Sequence, residues 1–199
     1  MTTTLAVGSP TVKTTLPPRP SDFLRAWFAT CPSDQFVELR AIRVSDHHVH
    51  QEFFTLDAMN DLYARACELV EEYDDYFGVC PRIRPQGRKE DVTHAPGLWA
   101  DLDFKGFPDG EAGALRKLGE FPVPPSWIVA TGGGFHIYWK LREAVTADAA
   151  FEARLKGIVH ALDADPAATD RSRVLRIPGT FNHKYPDCQV RILKWPTSS

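Results

Sequence analysis

Residues 99–106, WADLDFKG, set two aspartates into an apolar run with the alternation of a β-strand. Side chains alternate across a strand, so Asp101 and Asp103 project from one face while Leu102 and Phe104 pack on the other. Two neighbouring carboxylates on a buried strand repel each other and lose hydration, so they need a cation between them. Mg²⁺ and Mn²⁺ prefer such hard oxygen ligands, and the pair predicts a divalent metal site. The alternative is an edge strand with two solvated aspartates.

A glycine-rich turn joins two predicted strands in residues 130–139, ATGGGFHIYW. Three successive glycines allow positive φ and let a ligand approach the backbone closely. In the strand that follows, His136 and Tyr138 share one face, and the histidine can donate to a phosphate. A hairpin with a structural histidine is the alternative. The chain contains no GKS or GKT sequence, which disfavours P-loop nucleotide hydrolysis.

The third informative stretch, residues 162–184, reads LDADPAATDRSRVLRIPGTFNHK and mixes aspartates with a dense run of cations. Arginine grips phosphate oxygens with two parallel N–H groups, and lysine adds a point charge. Strand alternation predicts that Arg173 and Arg176 project to opposite sides. Acids beside such a basic run suit a site for metal and polyphosphate, whereas a solvated, salt-bridged surface is the alternative.

Together these stretches resemble the three motifs of the archaeo-eukaryotic primase (AEP) superfamily, in the primase-polymerase branch of phages, plasmids and mobile elements. The hydrophobic-DxD motif matches WADLD, the glycine turn before a strand histidine matches TGGGFHIYW, and the arginine motif matches DPAATDRSRVLRIPGTFNHK. The resemblance covers about residues 75–185. Residues 1–74 match less clearly, although FVELRAIR suits the strand that opens such domains.

The resemblance implies roles for the acidic residues. Asp101 and Asp103 are implied to be catalytic and to bind two Mg²⁺ or Mn²⁺ ions. Asp165 is the first choice for the third carboxylate. Asp170, which suits pairing with an arginine, is the alternate, and Asp163 ranks third.

The resemblance also implies a nucleotide pocket. His136, counted among the catalytic residues, is expected to contact the phosphates of the incoming nucleotide with Arg176 and Lys184. Three weaker candidates for the same pocket are Lys105, Thr131 and Asn182. From their charge alone, three residues of an upstream basic loop are expected to touch template or nucleotide: Arg82, Arg84 and Lys89.

The implied activity is that of a DNA primase/polymerase, which makes primers on single-stranded DNA and extends them by metal-dependent nucleotidyl transfer. The implied partners are a single-stranded DNA template, NTPs or dNTPs, and a replicative helicase domain or protein. A catalytically inactive nucleic-acid-binding replication module is the alternative from another class. A metal-dependent nuclease ranks lower, because it does not need the arginine, asparagine and lysine run.

The composition of the 199-residue chain is that of an ordinary globular protein, with 43% apolar and 25% charged residues. A formal net charge of −3 gives no global basic field, so any anion site must be local. The four cysteines form no CxxC pair, so we expect no zinc site and reduced thiols. No segment resembles a membrane span or a signal peptide, and the predicted compartment is the cytoplasm of a bacterial or phage-infected cell.

Residues 1–19, rich in Thr and Pro, are predicted to be a flexible leader. Residues 20–199 are predicted to form one primase-polymerase catalytic domain, a core that can belong to a longer primase-helicase. Helices and strands are interspersed, with tight turns between several strands. This order predicts an α+β fold with a mixed or antiparallel sheet flanked by helices, and the resemblance implies an RRM-like primase core. Residues 97–104 are expected to be the central strand.

Overall fold

The computed structural model describes residues 19–196, and in this range the chain forms four α-helices and eight strands. The predicted leader lies outside the described residues except for Arg19, and the 20–199 domain boundary stays a prediction. In chain order the elements are α1 (Pro20–Phe28), β1 (Phe36–Arg43), β2 (Val49–Thr55), α2 (Met59–Leu69), β3 (Tyr73–Gly78), β4 (His94–Asp103), α3 (Glu111–Glu120), β5 (Trp127–Ala130), β6 (Gly134–Thr146), α4 (Ala149–Leu162), β7 (Val174–Arg176) and β8 (Arg191–Lys194). Over residues 19–196, none of the helices has the length and apolar character needed to cross a lipid bilayer.

The strands form two four-stranded sheets, in the orders β2-β1-β3-β7 and β4-β6-β5-β8, and every pairing is antiparallel. The predicted α+β class with antiparallel sheets flanked by helices is therefore confirmed. The expectation that residues 97–104 form the central strand is wrong, because β4 lies at the edge of its sheet and β6 pairs on both sides. The apolar side chains of β4 are buried by helices that pack on the face of the sheet. An edge strand can therefore be as apolar as a central one, and its hydrophobicity does not reveal its position.

The second sheet is covered on one face by α3 and α4, which enclose a cluster that includes Leu102, Phe135 and Ile137. The other face carries aromatic side chains into a core shared with α1, α2 and the first sheet. Trp27, for example, meets the Tyr138 ring edge-on at 5.1 Å between centroids. Burying each large side chain of this kind contributes roughly 1.5–3 kcal/mol. The two sheets are thereby fixed to each other, and a polar cleft opens where the aromatic core ends.

Asp75 is a carboxyl group inside this core. It lies on β3 with no exposed surface, and neither of its side-chain oxygens has a hydrogen-bond partner. Burial, reinforced by the neighbouring charge of Asp74, raises the pKa of Asp75 to about 7. The folded state therefore favours the protonated form, and ionisation costs stability as the pH rises from about 4 to about 7.

We expect Asp75→Asn to stabilise the protein above pH 7, by up to roughly 4 kcal/mol, because the amide cannot ionise. At pH 4.5, where the folded carboxyl is protonated and only the unfolded state is largely ionised, the gain should shrink to about 1 kcal/mol. Chemical unfolding of wild type, Asp75→Asn and the exposed control Asp34→Asn at pH 4.5 and 8 measures the difference. A gain of the same size at both pH values would contradict this account.

Candidate functional site

The acidic wall of the cleft is built on the edge strand β4. Asp101 and Asp103 share a face, and Asp101 lies opposite His136 in the register with β6. On the free edge of β4, the backbone N–H of Asp165 donates to the carbonyl of Asp101 at 2.8 Å. This bond places the segment after α4 beside the strand. Asp165, which is distant in the sequence, thereby comes close to the two acids of β4.

Arg173 stands between two of these acids. Its Nη2 lies 3.8 Å from Asp101 Oδ2 and 3.6 Å from Asp165 Oδ2. Burial and the charges of Asp103 and Asp165 raise the pKa of Asp101 to about 6, although Arg173 acts in the opposite direction. The acids therefore still repel one another when this single guanidinium is present. The cluster favours additional positive charge.

The three candidates for the third carboxylate, Asp163, Asp165 and Asp170, make different contacts. Asp163 occupies the left-handed C-cap of α4 and pairs with Lys117 at 2.6 Å. Asp170 pairs with Lys89 at 2.7 Å, not with the arginine expected from the sequence. Burial opposes ionisation of Asp170, but hydrogen bonds from Lys89 and Ser172 lower its pKa to about 2. Among the three candidates, Asp165 is the one that joins the β4 acids.

His136 is buried next to the acids, with its Nε2 3.7 Å from Asp101 Oδ1 and its Nδ1 without a hydrogen-bond partner. Burial lowers the pKa of His136 to about 3, and the nearby Arg176 and Arg173 act in the same direction. The imidazole is therefore neutral at physiological pH. It can donate one N–H, but it contributes no positive charge.

Arg176 provides the cationic wall. It contacts both carboxylate oxygens of Asp74, at 2.9 and 3.0 Å, and its guanidinium lies 4.8 Å from the centroid of the Tyr76 ring. Its Nη1 nevertheless lacks a partner with hydrogen-bond geometry, as does the buried Nε of Arg173. With His136 Nδ1, three buried nitrogens at this cleft have no hydrogen-bond partner. Because the guanidinium groups of Arg173 and Arg176 line the cleft, it suits an oxygen-rich anion.

The glycine turn makes room for other parts of the chain. Gly132 has a φ of +92°, and a Cβ on Gly133 would lie 2.8 Å from Cζ of Tyr185. The turn is fastened by the Asn182 amide, which donates to the Thr131 carbonyl at 2.5 Å, and by the Thr131 hydroxyl, which donates to Gly134. Asn182 and Thr131 thus line the expected pocket, but their side chains hold the turn.

Of the two lysines predicted for the pocket, Lys184 lines the cleft and Lys105 does not. Lys105 has an 85% exposed side chain and reaches Asp103 Oδ2 at 2.9 Å. Lys184 is exposed and lines the cleft. The cleft has a volume of about 170 Å³, and its lining combines the acids of β4 with the cations of β7. Its lining residues are Tyr76, Asp101, Asp103, Thr131, Gly133, His136, Arg173, Val174, Leu175, Arg176, Asn182, Lys184 and Tyr185.

The three cations predicted from the upstream basic loop are each paired with a carboxylate of the protein. Arg82 has no exposed surface and forms an ion pair with the buried Glu38. Arg84 binds the buried Asp91, and Lys89 is held by acids of the 149–172 region. Charge alone could not reveal that this loop neutralises carboxylates of the protein itself.

Sequence reasoning assigned no role to Tyr185, Tyr76, Asp74 or Arg173, which all belong to the site or hold its residues. Arg173 was visible in the arginine motif, but its contact with Asp165 depends on how the chain turns between them. Tyr76 lies opposite Arg176 in the pairing of β3 with β7, a register that the sequence pattern does not reveal.

The oxygen donors of Asp101, Asp103 and Asp165 fit Mg²⁺ or Mn²⁺ in chemistry, and their mutual repulsion fits a site for added cations. Over residues 19–196, no three carboxylate, imidazole or thiol groups are already close enough to hold one ion. Asp101 and Asp165 are balanced instead by the guanidinium of Arg173, and Asp103 is balanced by the ammonium of Lys105.

No protein-family model and no curated protein sequence matches the chain. Among solved structures, the AEP domain of the primase-polymerase of cyanophage S-2L superposes with a TM-score of 0.63 at 15% identity, covering 87% of this chain and 89% of that chain. The catalytic domain of primase RepB′ in complex with initiator DNA gives a TM-score of 0.59 at 14% identity, with 92% and 88% covered. Primase RepB′ gives 0.59 at 14% identity, with 91% of this chain and 58% of that chain covered. The chain therefore has the fold of AEP primase domains, as the motifs led us to expect.

We expect Arg173→Gln to destabilise the protein by about 1 kcal/mol at pH 8, because the ionised acids lose their common cation. At pH 5 the cost should shrink, since Asp101 is then largely protonated. Thermal unfolding at both pH values measures this. Arg171→Gln is the matched control, because Arg173 rather than Arg171 forms the ion pairs with Asp101 and Asp165. Equal losses for both variants at both pH values would contradict the proposed charge balance.

Proposed function

We propose that this chain is a DNA primase/polymerase, a template-directed nucleotidyltransferase that depends on divalent metal ions. The observation that carries the proposal is a cleft whose lining brings the carboxylates of β4 together with the guanidinium groups of Arg173 and Arg176 and the ammonium group of Lys184. That combination suits a metal–triphosphate complex. The AEP fold supports the same conclusion.

In this proposal Asp101, Asp103 and Asp165 hold the metal ions, in competition with the guanidinium of Arg173. When bound, two such ions lower the pKa of an attacking 3′-hydroxyl and stabilise the departing pyrophosphate. The protein then positions the triphosphate and balances its charge. Arg176 and Lys184 supply cations for the phosphates, while the neutral His136 donates a hydrogen bond. Asp74 holds Arg176 in place.

The proposed partners are a single-stranded DNA template, NTPs or dNTPs, and a replicative helicase domain or protein. One of the similar structures, primase RepB′, is bound to initiator DNA, which supports a DNA partner. The proposed compartment is the cytoplasm of a bacterial or phage-infected cell.

The test is primer synthesis on single-stranded DNA, with labelled NTPs and dNTPs offered separately and with Mg²⁺, Mn²⁺ or neither. We expect Asp101→Asn and Asp165→Asn each to reduce the rate of primer synthesis by more than about 100-fold, because each variant lacks a proposed metal ligand. Asp163→Asn and Asp170→Asn are matched controls on the same segment and should retain most of it.

The same assay separates the alternatives. Metal-dependent degradation of the template without synthesis would indicate a nuclease. Binding of DNA without either reaction would indicate a replication module without catalysis. A control variant as inactive as Asp165→Asn, although equally well folded, would refute the assignment of the third carboxylate.

His136→Ala should weaken nucleotide binding by roughly 5- to 10-fold, the loss of one hydrogen bond. Because the imidazole is already neutral, the loss should be the same at pH 6 and pH 8. Calorimetric titration with a nucleoside triphosphate at both pH values measures it. A loss confined to pH 6 would mean that His136 acts as a cation.

A further inference from the structure

Tyr185 lies at the mouth of the proposed nucleotide site, with 43% of its surface exposed. It belongs to the turn that follows β7, in which its backbone N–H donates to the Asn182 carbonyl at 3.1 Å. The Asn182 amide in turn holds the glycine turn through the Thr131 carbonyl. The backbone that carries this tyrosine is therefore tied to the turn beside the acids.

The position of the ring is fixed by the glycine turn. A Cβ on Gly133 would lie 2.8 Å from Cζ and 3.0 Å from Cε2 of Tyr185, and one on Gly132 would lie 3.1 Å from Cδ2. Side chains at these two positions would push the ring away. The absence of side chains there lets the tyrosine rest on the turn while part of the ring stays open to solvent.

The size of the cleft leaves most of a nucleotide outside it. Pockets that enclose a drug-sized ligand typically measure about 300–1,000 Å³, whereas this cleft measures about 170 Å³. Its charged lining suits the phosphates. A second cavity of about 310 Å³ adjoins it, and Tyr185 lines both. A nucleoside that extends from the phosphate site toward this cavity must pass the tyrosine ring.

Two phenol rings line the cleft, and they differ in availability. The guanidinium of Arg176 lies over the Tyr76 ring, 4.8 Å from its centroid, so that face is already occupied. Tyr185 takes part in none of the ring-to-ring or cation–π contacts found among residues 19–196. A flat, exposed and fixed aromatic surface beside a phosphate site is suited to a nucleobase.

We propose that Tyr185 is a binding residue on which the base of the incoming nucleotide stacks. This inference rests on the proposed function, since it requires the triphosphate to occupy the cleft. Stacking on an aromatic ring accepts any base, so Tyr185 provides affinity for nucleosides without selecting among the four.

The experiment compares two ligands, dATP and inorganic tripolyphosphate, by calorimetric titration in Mg²⁺ without template. We expect Tyr185→Ala to raise the Kd for dATP by roughly tenfold and to leave the Kd for tripolyphosphate within about twofold of wild type. Tyr185→Phe keeps the aromatic face and should bind dATP like the wild type. Repeating the titration with dCTP should give a loss of similar size.

Tyr185→Leu separates stacking from support of the glycine turn. It keeps an apolar side chain against Gly133, so its thermal stability should match the wild type, but it should bind dATP as poorly as Tyr185→Ala. Wild-type affinity for dATP in Tyr185→Leu, or equal losses for dATP and tripolyphosphate in Tyr185→Ala, would overturn the inference alone. A wild-type protein that binds neither ligand would instead refute the proposed function.

Discussion

The site depends on one backbone hydrogen bond, from the N–H of Asp165 to the carbonyl of Asp101. Because β4 is an edge strand, its outward carbonyls need a partner that no neighbouring strand of its sheet supplies. The chain emerging from α4 supplies one at the position where the strand carries its first acid. The hydrogen bond that pairs this edge carbonyl of β4 thus also brings Asp165 next to the acids of the strand.

Around that bond, the charges of the cleft are divided between two walls. Arg173 partly balances the acids of the second sheet, and Asp74 of the first sheet holds Arg176. Each arginine is positioned by an acid but keeps a buried nitrogen without a hydrogen-bond partner. The protein therefore holds its cations in fixed places while their capacity to bind an anion remains. The neutral His136 adds a donor without adding further repulsion between cations.

Local patterns in the sequence predicted much of this arrangement, and long-range pairing determined the remainder. Strand alternation placed Asp101 and Asp103 on one face, with Leu102 on the other. The edge position of β4 could not be read from its apolar run, because helices bury those side chains. Arg82 looked like a free cation because nothing local shows that Glu38, on another strand, is buried beside it. The role of the glycines depended similarly on Tyr185, which lies far along the chain.

The left-handed cap at the end of α4 has a consequence for how this chain can vary in length. Asp163 reverses the chain there with a φ of +53°, and Ala164 donates to the Val159 carbonyl at 3.0 Å. Only these two residues separate the helix from Asp165. A single inserted or deleted residue between Leu162 and Asp165 would move the third acid by about 3.5 Å along the chain. Natural or engineered length changes should therefore not be tolerated in this short connection.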